Sequence, residues 1–453
     1  MQDLDKPITD LGERFPKTRE EMEALRQSGV REAKDLGAFI DRSPTPFHAA
    51  AEAASRLKAA GFEELSERDA WSIAPGDRRY FIRGGSTIVA FIAGTEPPAK
   101  AGFRVIGAHT DSPGFRLKPN ADVSARGYQQ LGVEVYGGVL YSTWLDRDLS
   151  IAGRVLFDRG GSIEARLVDL ARPVARIPNL AIHLNRSVNT EGLTLNAQKH
   201  LVPLVGLGRE AVLRGVLARE LGEPADAIAG FDLCLYDTAK AVIGGLEDEF
   251  IFTARLDNLG SSHAAVRALL QAADTATETT RVIVLYDHEE CGSRSFVGAG
   301  GPVLKDTLER LVDALPDDKG QGLARAIAGS FLISADMAHA IHPNYGDMHE
   351  PQHAPLLNRG LVIKSNANQS YATDGVSGAA FEALCRKVGY APQRFVTRSD
   401  LPCGSTIGPI TAARLGIPTV DVGAPMLSMH SCREMAGTLD VHLAIETYAQ
   451  LFR

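Results

Sequence analysis

The stretch that decides the fold is Phe103-Arg104-Val105-Ile106-Gly107-Ala108-His109-Thr110-Asp111. Its first six residues are mainly apolar and too few for a buried helix, so they predict a buried strand. The three residues that follow are polar and predict a turn. The stretch therefore predicts a strand that delivers an imidazole and a carboxylate at its carboxyl end.

Four further segments combine a short apolar run with polar groups that follow it. They are 250–254 before Asp257, 282–286 before Glu289 and Glu290, 331–335 before Asp336, and 419–422 before His430. Helix-forming stretches occur at 46–57, 262–273 and 375–388. Alternation of strands and helices predicts an α/β fold with a mostly parallel sheet flanked by helices.

The segment from 115 to 245 has a different pattern. Short strands with close turns are predicted at 133–136, 139–141, 153–157 and 163–167, and long helices are scarce until about residue 208. We therefore predict an inserted β-rich domain at 115–245. The α/β domain is then discontinuous, formed by 35–114 and 246–453, and 1–34 is a charged N-terminal extension or helical arm without chemistry.

Composition and charge exclude several classes of protein. The chain has 453 residues, of which 44% are hydrophobic and 23% charged, so extended disorder is not expected. The formal net charge of −8 argues against nucleic acid as a partner. Apolar runs all fall short of the roughly 18 residues that span a bilayer, so no membrane partner is expected. The first residues do not resemble a secretory signal and the 5 cysteines are scattered, which together predict a cytoplasmic protein.

The groups at the five predicted strand ends indicate a metal site. In an open α/β sheet, functional side chains collect beyond the carboxyl ends of the strands. Imidazoles and carboxylates are the ligand types that Zn²⁺ takes in catalytic sites, and a carboxylate with two oxygens can bridge a pair of ions. The candidate groups are His109, Asp257, Glu289, Glu290, Asp336 and His430.

Two local patterns refine this interpretation. Neighbouring residues point in different directions, so one of Glu289 and Glu290 can ligate metal while the other acts as general base for metal-bound water. The carboxylate of Asp111 can orient the imidazole of His109. Each signal alone has an ordinary alternative, since Glu-Glu pairs usually lie on solvated surfaces and an Asp after a strand commonly caps a helix.

Over about residues 35–450, the chain resembles the M18 metallopeptidases, the aspartyl aminopeptidases. The resemblance rests on seven segments that together are highly specific. They are Gly107-Ala108-His109-Thr110-Asp111-Ser112-Pro113, Arg255-Leu256-Asp257-Asn258, Asp287-His288-Glu289-Glu290-Cys291-Gly292-Ser293, Ser334-Ala335-Asp336, Ser365-Asn366-Ala367-Asn368-Gln369, Pro402-Cys403-Gly404-Ser405-Thr406-Ile407-Gly408-Pro409 and Met429-His430-Ser431.

The resemblance implies a role for each matching position. His109 and Asp336 would hold one zinc ion, Glu290 and His430 the other, and Asp257 would bridge them. Glu289 would be the general base and Asp111 the orienter of His109. His183 would stabilise the oxyanion in a neighbouring subunit's site, although it can equally be a core residue of a strand. Lys364 and Tyr371 would form the substrate pocket.

The sequence thus predicts a cytoplasmic di-zinc aminopeptidase that removes N-terminal Asp or Glu from peptides. Two zinc ions per subunit are expected, although cobalt and manganese accept overlapping ligands. By analogy with the family, the β-rich domain mediates a homo-oligomer, a dodecamer. One alternative is a di-zinc amidase or deacylase of N-acyl amino acids, and another is an inactive scaffold.

Overall fold

The strand predicted at 103–108 lies in the middle of the largest sheet of the computed structural model, which describes residues 18–317 and 319–453. The helices, numbered in chain order, are α1 (Arg19–Asp41), α2 (Pro46–Ala59), α3 (Pro98–Ala101), α4 (Val188–Glu191), α5 (Ala197–His200), α6 (Leu213–Leu221), α7 (Leu256–Gln271), α8 (Val303–Ala314), α9 (Gly322–Ala328), α10 (Gly375–Val388), α11 (Ile407–Leu415) and α12 (Thr438–Leu451).

The strands follow the same numbering in chain order. They are β1 (Glu63–Glu64), β2 (Arg78–Arg83), β3 (Thr87–Ile92), β4 (Phe103–His109), β5 (Gly114–Ala125), β6 (Tyr128–Tyr136), β7 (Leu149–Asp158), β8 (Ile163–Asp169), β9 (Leu204–Leu207), β10 (Ile228–Asp237), β11 (Val242–Gly244), β12 (Phe250–Thr253), β13 (Thr280–Tyr286), β14 (Phe331–Ala335), β15 (Ala338–His339), β16 (Val362–Lys364), β17 (Gln393–Phe395), β18 (Thr419–Gly423), β19 (Pro425–Leu427) and β20 (Glu434–Gly437).

The large sheet, as far as the chain is described, has nine strands in the order β1-β2-β3-β13-β4-β14-β18-β16-β17. Its centre, from β13 to β18, is parallel, as predicted. Antiparallel pairs flank this centre at β2–β3, β3–β13 and β16–β18. The turn between β2 and β3 contains Gly84 and Gly85, both with positive φ, and such a short connection can only join antiparallel strands.

Helices cover both faces of this sheet. Along β4, Val105 packs into a core with helices α8, α9 and α11, whereas the next residue, Ile106, packs into a core with α1, α2, α7, α10 and α12. The same alternation occurs along β13 at Ile283 and Val284. Successive side chains of a strand point to opposite faces. Because both faces are buried, the central strands are continuous apolar runs.

The β-rich segment forms a separate antiparallel sheet in the order β8-β7-β10-β5-β6-β9. The strands predicted at 133–136, 153–157 and 163–167 are confirmed. The strand predicted at 139–141 is wrong, because Tyr141–Trp144 forms a 3₁₀ helix that buries Trp144 against Phe115. The sheet has its own apolar core. The domain boundaries at 115 and 245 remain predictions.

Asp257 and His430 do not directly follow strands of the large sheet. Strand β12, which precedes Asp257, lies in a third sheet of order β11-β12-β20-β19-β15. Strand β18 is followed by β19 of that third sheet before the chain reaches His430. The expectation that one sheet supplies all the candidate groups is therefore wrong for these two.

Helix α1 crosses the predicted boundary at residue 34, and the first 17 residues of the predicted extension lie outside the described residues. Ala33 and Leu36 of α1 are buried in the same core as α7 and α12. A helix long and apolar enough to cross a membrane does not occur in the part of the chain that the structure describes.

Candidate metal centre

Three neighbouring parallel strands deliver candidate ligands to one edge of the large sheet. His109 is the last residue of β4, and Asp336 directly follows β14. Glu289 and Glu290 begin a 3₁₀ helix, Glu289–Cys291, shortly after β13. Since β13, β4 and β14 are adjacent and parallel, their carboxyl ends meet at the same place.

The third sheet brings the remaining candidates to the same place from the side. Asp257 lies in the first turn of α7 and His430 in the loop between β19 and β20. Strands β12 and β20 pair, so the segments that carry these two residues are neighbours. The structure thus unites all of the predicted ligands, although they come from two sheets.

Asp257 lies between the two imidazoles. Its Oδ1 is 3.4 Å from Nε2 of His109, and its Oδ2 is 3.5 Å from Nε2 of His430. Nε2 of His109 also lies 3.5 Å from Oδ1 of Asp336, and Nε2 of His430 lies 3.5 Å from Oε2 of Glu290. Two groups of ligand atoms therefore share one carboxylate.

The second ring nitrogen of each imidazole contacts a main-chain carbonyl. Nδ1 of His109 is 3.0 Å from the carbonyl oxygen of Asp111, and Nδ1 of His430 is 2.9 Å from that of Gly138. A carbonyl can only accept, so both Nδ1 atoms carry hydrogen, and in the neutral imidazoles Nε2 is then the atom with a lone pair for a metal ion. The Asp111 carboxylate, predicted to orient His109, is 3.3 Å from Nδ1, slightly further than its own carbonyl.

The donor set fits zinc. Ligand atoms of His109, Asp257 and Glu290 all lie within 4.8 Å of one another. Oδ1 of Asp257 and Oε1 of Glu290 are buried and accept no hydrogen bond from any described residue. A buried carboxylate oxygen without a partner is costly unless a cation satisfies it. Nitrogen and carboxylate oxygen are the atoms with which catalytic zinc sites are built.

The electrostatics of the cluster also favour a cation. Burial raises the pKa of Glu289 to about 8, and the charges of Asp336 and Asp111 act in the same direction. Burial and the charge of Asp257 raise the pKa of Glu290 well above its usual range. Carboxylates held this close to one another repel, and a divalent ion removes that repulsion.

Asp111 connects the two glutamates to the strand that bears His109. Its carboxylate oxygens accept hydrogen bonds from the main-chain N–H groups of Glu289 and Glu290, each at 3.1 Å. The hydroxyl of Tyr136 donates to Oδ2 of Asp111 at 2.6 Å. Sequence reasoning missed Tyr136, because a tyrosine at the end of β6 in the β-rich segment carries no signal that it reaches another domain.

The carboxylate of Glu289 differs from that of Glu290. Its Oε2 is 4.0 Å from Nε2 of His109, and its side chain is 14% exposed. Within residues 18–317 and 319–453 it accepts no hydrogen bond, and it is more exposed than the Glu290 side chain, which is 6% exposed. The structure therefore separates one glutamate that is buried among ligands from one that borders them.

Lys364 and Tyr371 lie beside Asp336. Nζ of Lys364 donates to the carbonyls of Asp336 and Met337 at 2.9 and 3.1 Å, and it lies 3.4 Å from Oδ2 of Asp336. The ammonium is 5.2 Å from the ring centre of Tyr371. Lys364 is buried, which corrects the ordinary expectation that a lysine after a strand faces solvent.

His183 lies away from this cluster. It belongs to the 3₁₀ helix Ile182–Leu184 on the β-rich domain, and it is exposed. The alternative interpretation of His183 as a core residue of a strand is wrong. Leu180 and Leu184 around it are 59% and 75% exposed.

Comparison with known proteins agrees with this geometry. The family described as aminopeptidase I zinc metalloprotease (M18) matches residues 39–452. A probable M18 family aminopeptidase 2 from Pseudomonas aeruginosa is 50% identical over 410 residues, which cover 89% of this chain and 94% of that protein. Among solved structures, Ape4 in its complex with Nbr1 has a TM-score of 0.91 at 40% identity, covering 94% of this chain and 86% of that one. The S. cerevisiae mApe1 dodecamer has a TM-score of 0.82 at 33% identity, covering 93% and 96%.

The mixed α/β fold and its cluster of imidazoles and carboxylates define a zinc-dependent metalloprotease. More narrowly, the chain belongs to the M18 family and is a metallo-aminopeptidase.

Proposed function

We propose that this M18 aminopeptidase uses two zinc ions per subunit to remove N-terminal Asp or Glu from peptides. The observation that carries the proposal is the position of Asp257, which offers one carboxylate oxygen toward each of two groups of ligand atoms. His109 and Asp336 would hold one ion, and Glu290 and His430 the other, with Asp257 shared. When bound, a zinc pair polarises the scissile carbonyl and lowers the pKa of water.

Glu289 acts as the general base in this proposal. Its carboxylate borders the ligands without a hydrogen-bond partner among the described residues, so it is free to take a proton from the attacking water. The same carboxyl group then gives the proton to the amide nitrogen as the peptide bond breaks. Asp111 holds the main chain of Glu289 in place through the hydrogen bond from its N–H.

Lys364 and Tyr371 are proposed to select the acidic substrate. The Lys364 ammonium lies 3.4 Å from the proposed zinc ligand Asp336, so its charge is next to the reacting centre. The carboxylate carbon of an N-terminal Asp or Glu is only three or four bonds from the scissile carbonyl carbon, so the carboxylate can reach that neighbourhood. A buried ammonium in a low dielectric attracts an anion far more strongly than an exposed one does.

Assembly belongs to the same proposal. The exposed apolar residues Leu180, Ile182 and Leu184 surround His183, and exposed apolar clusters of this kind are typical of interfaces. The dodecamer of the S. cerevisiae relative supports a homo-oligomer here too. In the assembled protein, His183 of one subunit would stabilise the oxyanion in a neighbour's site. The free cysteines support a reducing, cytoplasmic location.

A substrate panel tests the specificity. Purified protein with zinc is assayed on peptides that begin with Asp, Glu, Ala or Leu and on N-acetyl-Asp peptides. One charged hydrogen bond contributes about 1.5–3 kcal/mol, so we expect the Asp peptide to exceed the Ala peptide about 10- to 100-fold in kcat/KM. Equal rates on all free N-termini would contradict the acidic specificity.

The acetylated peptide and the zinc content distinguish the other functions. An aminopeptidase that anchors the free amine should leave the acetylated peptide intact, whereas an amidase or deacylase would cleave it. Zinc near two per chain together with no turnover of any substrate would favour the inactive scaffold. Zinc near one per chain would contradict the shared role of Asp257.

A further inference from the structure

Glu434 is a buried carboxylate beneath the metal centre. It is the first residue of β20 and only 3% exposed. Its Oε1 accepts a hydrogen bond from the main-chain N–H of His430 at 2.8 Å, and its Oε2 accepts one from the N–H of Asp257 at 3.2 Å. One side chain thus connects the main chains of two proposed ligands that are far apart in sequence.

We propose that Glu434 is a positioning residue that fixes the distance between Asp257 and His430, and through them the affinity of the ion that His430 helps to hold. This inference rests on the proposed di-zinc function. Both hydrogen bonds of Glu434 come from main-chain N–H groups and not from the side chains of the ligands. It acts only through the two main-chain N–H groups.

Both N–H groups need such a partner because they lie where regular structure ends. His430 has φ of 67°, in the left-handed region that residues with a side chain rarely adopt, and Ser428 in the same loop has φ of 61°. Asp257 follows Arg255, whose φ is 56°. A backbone held in this region is strained and persists only where its surroundings enforce it. The hydrogen bonds to Glu434 supply part of that enforcement.

The chemistry of the site requires a carboxylate and not an amide. Two donors converge on Glu434, so both of its side-chain atoms must accept. Glutamine would set an NH₂ group against one of the two N–H groups. In the described part of the chain, no Lys, Arg or His side chain forms an ion pair with Glu434 within 4.0 Å. A negative charge buried without such a partner is costly, and a cation in the adjacent metal centre would compensate it.

Asp440 provides a matched control. It is also buried, and its carboxylate also accepts main-chain hydrogen bonds, among them those from Asn358 at 2.6 Å and Gly360 at 2.8 Å. It supports a loop before β16 and contacts no proposed ligand. Glu434→Gln and Asp440→Asn therefore both weaken hydrogen bonds between a buried carboxylate and main-chain N–H groups. Only those of Glu434 involve proposed metal ligands.

The test is a zinc titration of chelator-stripped wild-type, E434Q and D440N proteins by calorimetry. Loss of an outer partner of a metal ligand typically weakens binding about 10- to 100-fold. In E434Q we expect that loss for the ion that His430 helps to hold and a smaller loss for the other ion, because both ions share Asp257. We expect wild-type affinities in D440N. Equal affinities in E434Q and wild type would overturn the role of Glu434, as would an equal loss in D440N.

Two further measurements are needed. One tests the inference even if E434Q fails to fold, and the other tests the proposed di-zinc function. Hydrogen exchange of the metal-free wild type should show protected amides at Asp257 and His430, and rapid exchange there would overturn the inference even if E434Q does not fold. A wild type that binds fewer than two ions would overturn the di-zinc function itself.

Discussion

At the scale of single residues, the carboxylates of Asp257, Glu289 and Glu290 have different surroundings in the cluster. Asp257 has both carboxylate oxygens within 3.5 Å of an imidazole nitrogen. Glu290 is buried among ligands, with Oε1 left without a partner, whereas Glu289 borders the cluster. Adjacent residues in a 3₁₀ helix diverge, so in the proposed mechanism Glu289 supplies the base and the next residue, Glu290, a ligand.

The divergence of Glu289 and Glu290 leads to a first prediction. Glu289→Gln should lower kcat by about 10²- to 10⁴-fold, the usual contribution of a general base, and should leave the zinc content unchanged. Glu290→Gln should lose both activity and zinc. Metal analysis and steady-state kinetics on an Asp peptide check both variants. Near-normal turnover by the Glu289 variant would remove it from the mechanism.

Lys364 leads to a second prediction. It distinguishes the contacts of Lys364 with the Asp336 segment from its proposed contact with the substrate carboxylate. Lys364→Met removes the hydrogen bonds to the Asp336 and Met337 carbonyls, so kcat/KM should fall for every substrate. Loss of the charge should reduce kcat/KM a further 10- to 100-fold, roughly, for the Asp peptide alone. Lys305→Met, on an exposed face of α8, is the control. Equal losses on Asp and Ala peptides would show that Lys364 acts only on Asp336.

At the scale of elements, the third sheet and helix α1 complete the site and its support. The β12–β20 pair sets Asp257 and His430 side by side, which the large sheet alone does not do. Helix α1 packs behind α7, whose first turn bears Asp257. Asp35 of α1 accepts hydrogen bonds from Arg56 and from the buried His263 of α7, each at 2.7 Å. Polar contacts therefore fix α1 to the helix that carries a ligand.

A third prediction concerns this attachment. Asp35→Asn should lower the free energy of unfolding by about 1 kcal/mol, a value reduced because Asp35 is more than a third exposed. Urea unfolding checks the value, with Glu23→Gln on the exposed face of α1 as control.

The same contacts determine how the difference in unfolding free energy between wild type and Asp35→Asn depends on pH. Burial alone would raise the pKa of Asp35, but the hydrogen bonds from His263 and Arg56 outweigh it and lower that pKa below its usual value. A lowered carboxyl pKa stabilises the fold above the unfolded-state pKa, and the contribution is lost as pH falls through the folded-state value. The difference between wild type and D35N should therefore persist from pH 7 to about pH 5. A difference that disappears above pH 5 would contradict the lowered pKa.

At the scale of the whole molecule, the role proposed for His183 would make the site complete only in the assembled protein. The residue is exposed on a domain that packs around a core of its own. Exposed leucines flank it, as expected for a surface covered by another subunit. The net charge of −8 does not favour an acidic substrate, so the proposed acidic selectivity would have to arise locally.

A fourth prediction tests this sharing of the site by complementation. His183→Ala and Glu289→Gln should each be almost inactive, but a mixture that is dissociated and reassembled should regain activity. Random mixing in a closed symmetric oligomer restores about a quarter of the sites. His200→Ala, another exposed histidine of the same domain, should be active without a partner. Failure of the mixture to regain activity, with assembly confirmed by light scattering, would place His183 outside the site.

The amino-acid sequence by itself determined the α/β core, the central parallel strands and the candidate ligands. These follow from local patterns, because a short apolar run predicts a strand wherever it packs, and a strand end predicts where its polar group emerges. The resemblance to M18 proteins added roles for those positions.

Only the tertiary structure decided that two sheets supply the ligands, that Tyr136 reaches Asp111 from the β-rich domain, and that Glu434 connects Asp257 to His430. Apart from the hydrogen bond between the N–H of His430 and Glu434, each of these depends on contacts between residues that are more than 20 positions apart. Side-chain type and spacing do not predict such contacts, because the contacts form only when separate elements pack together.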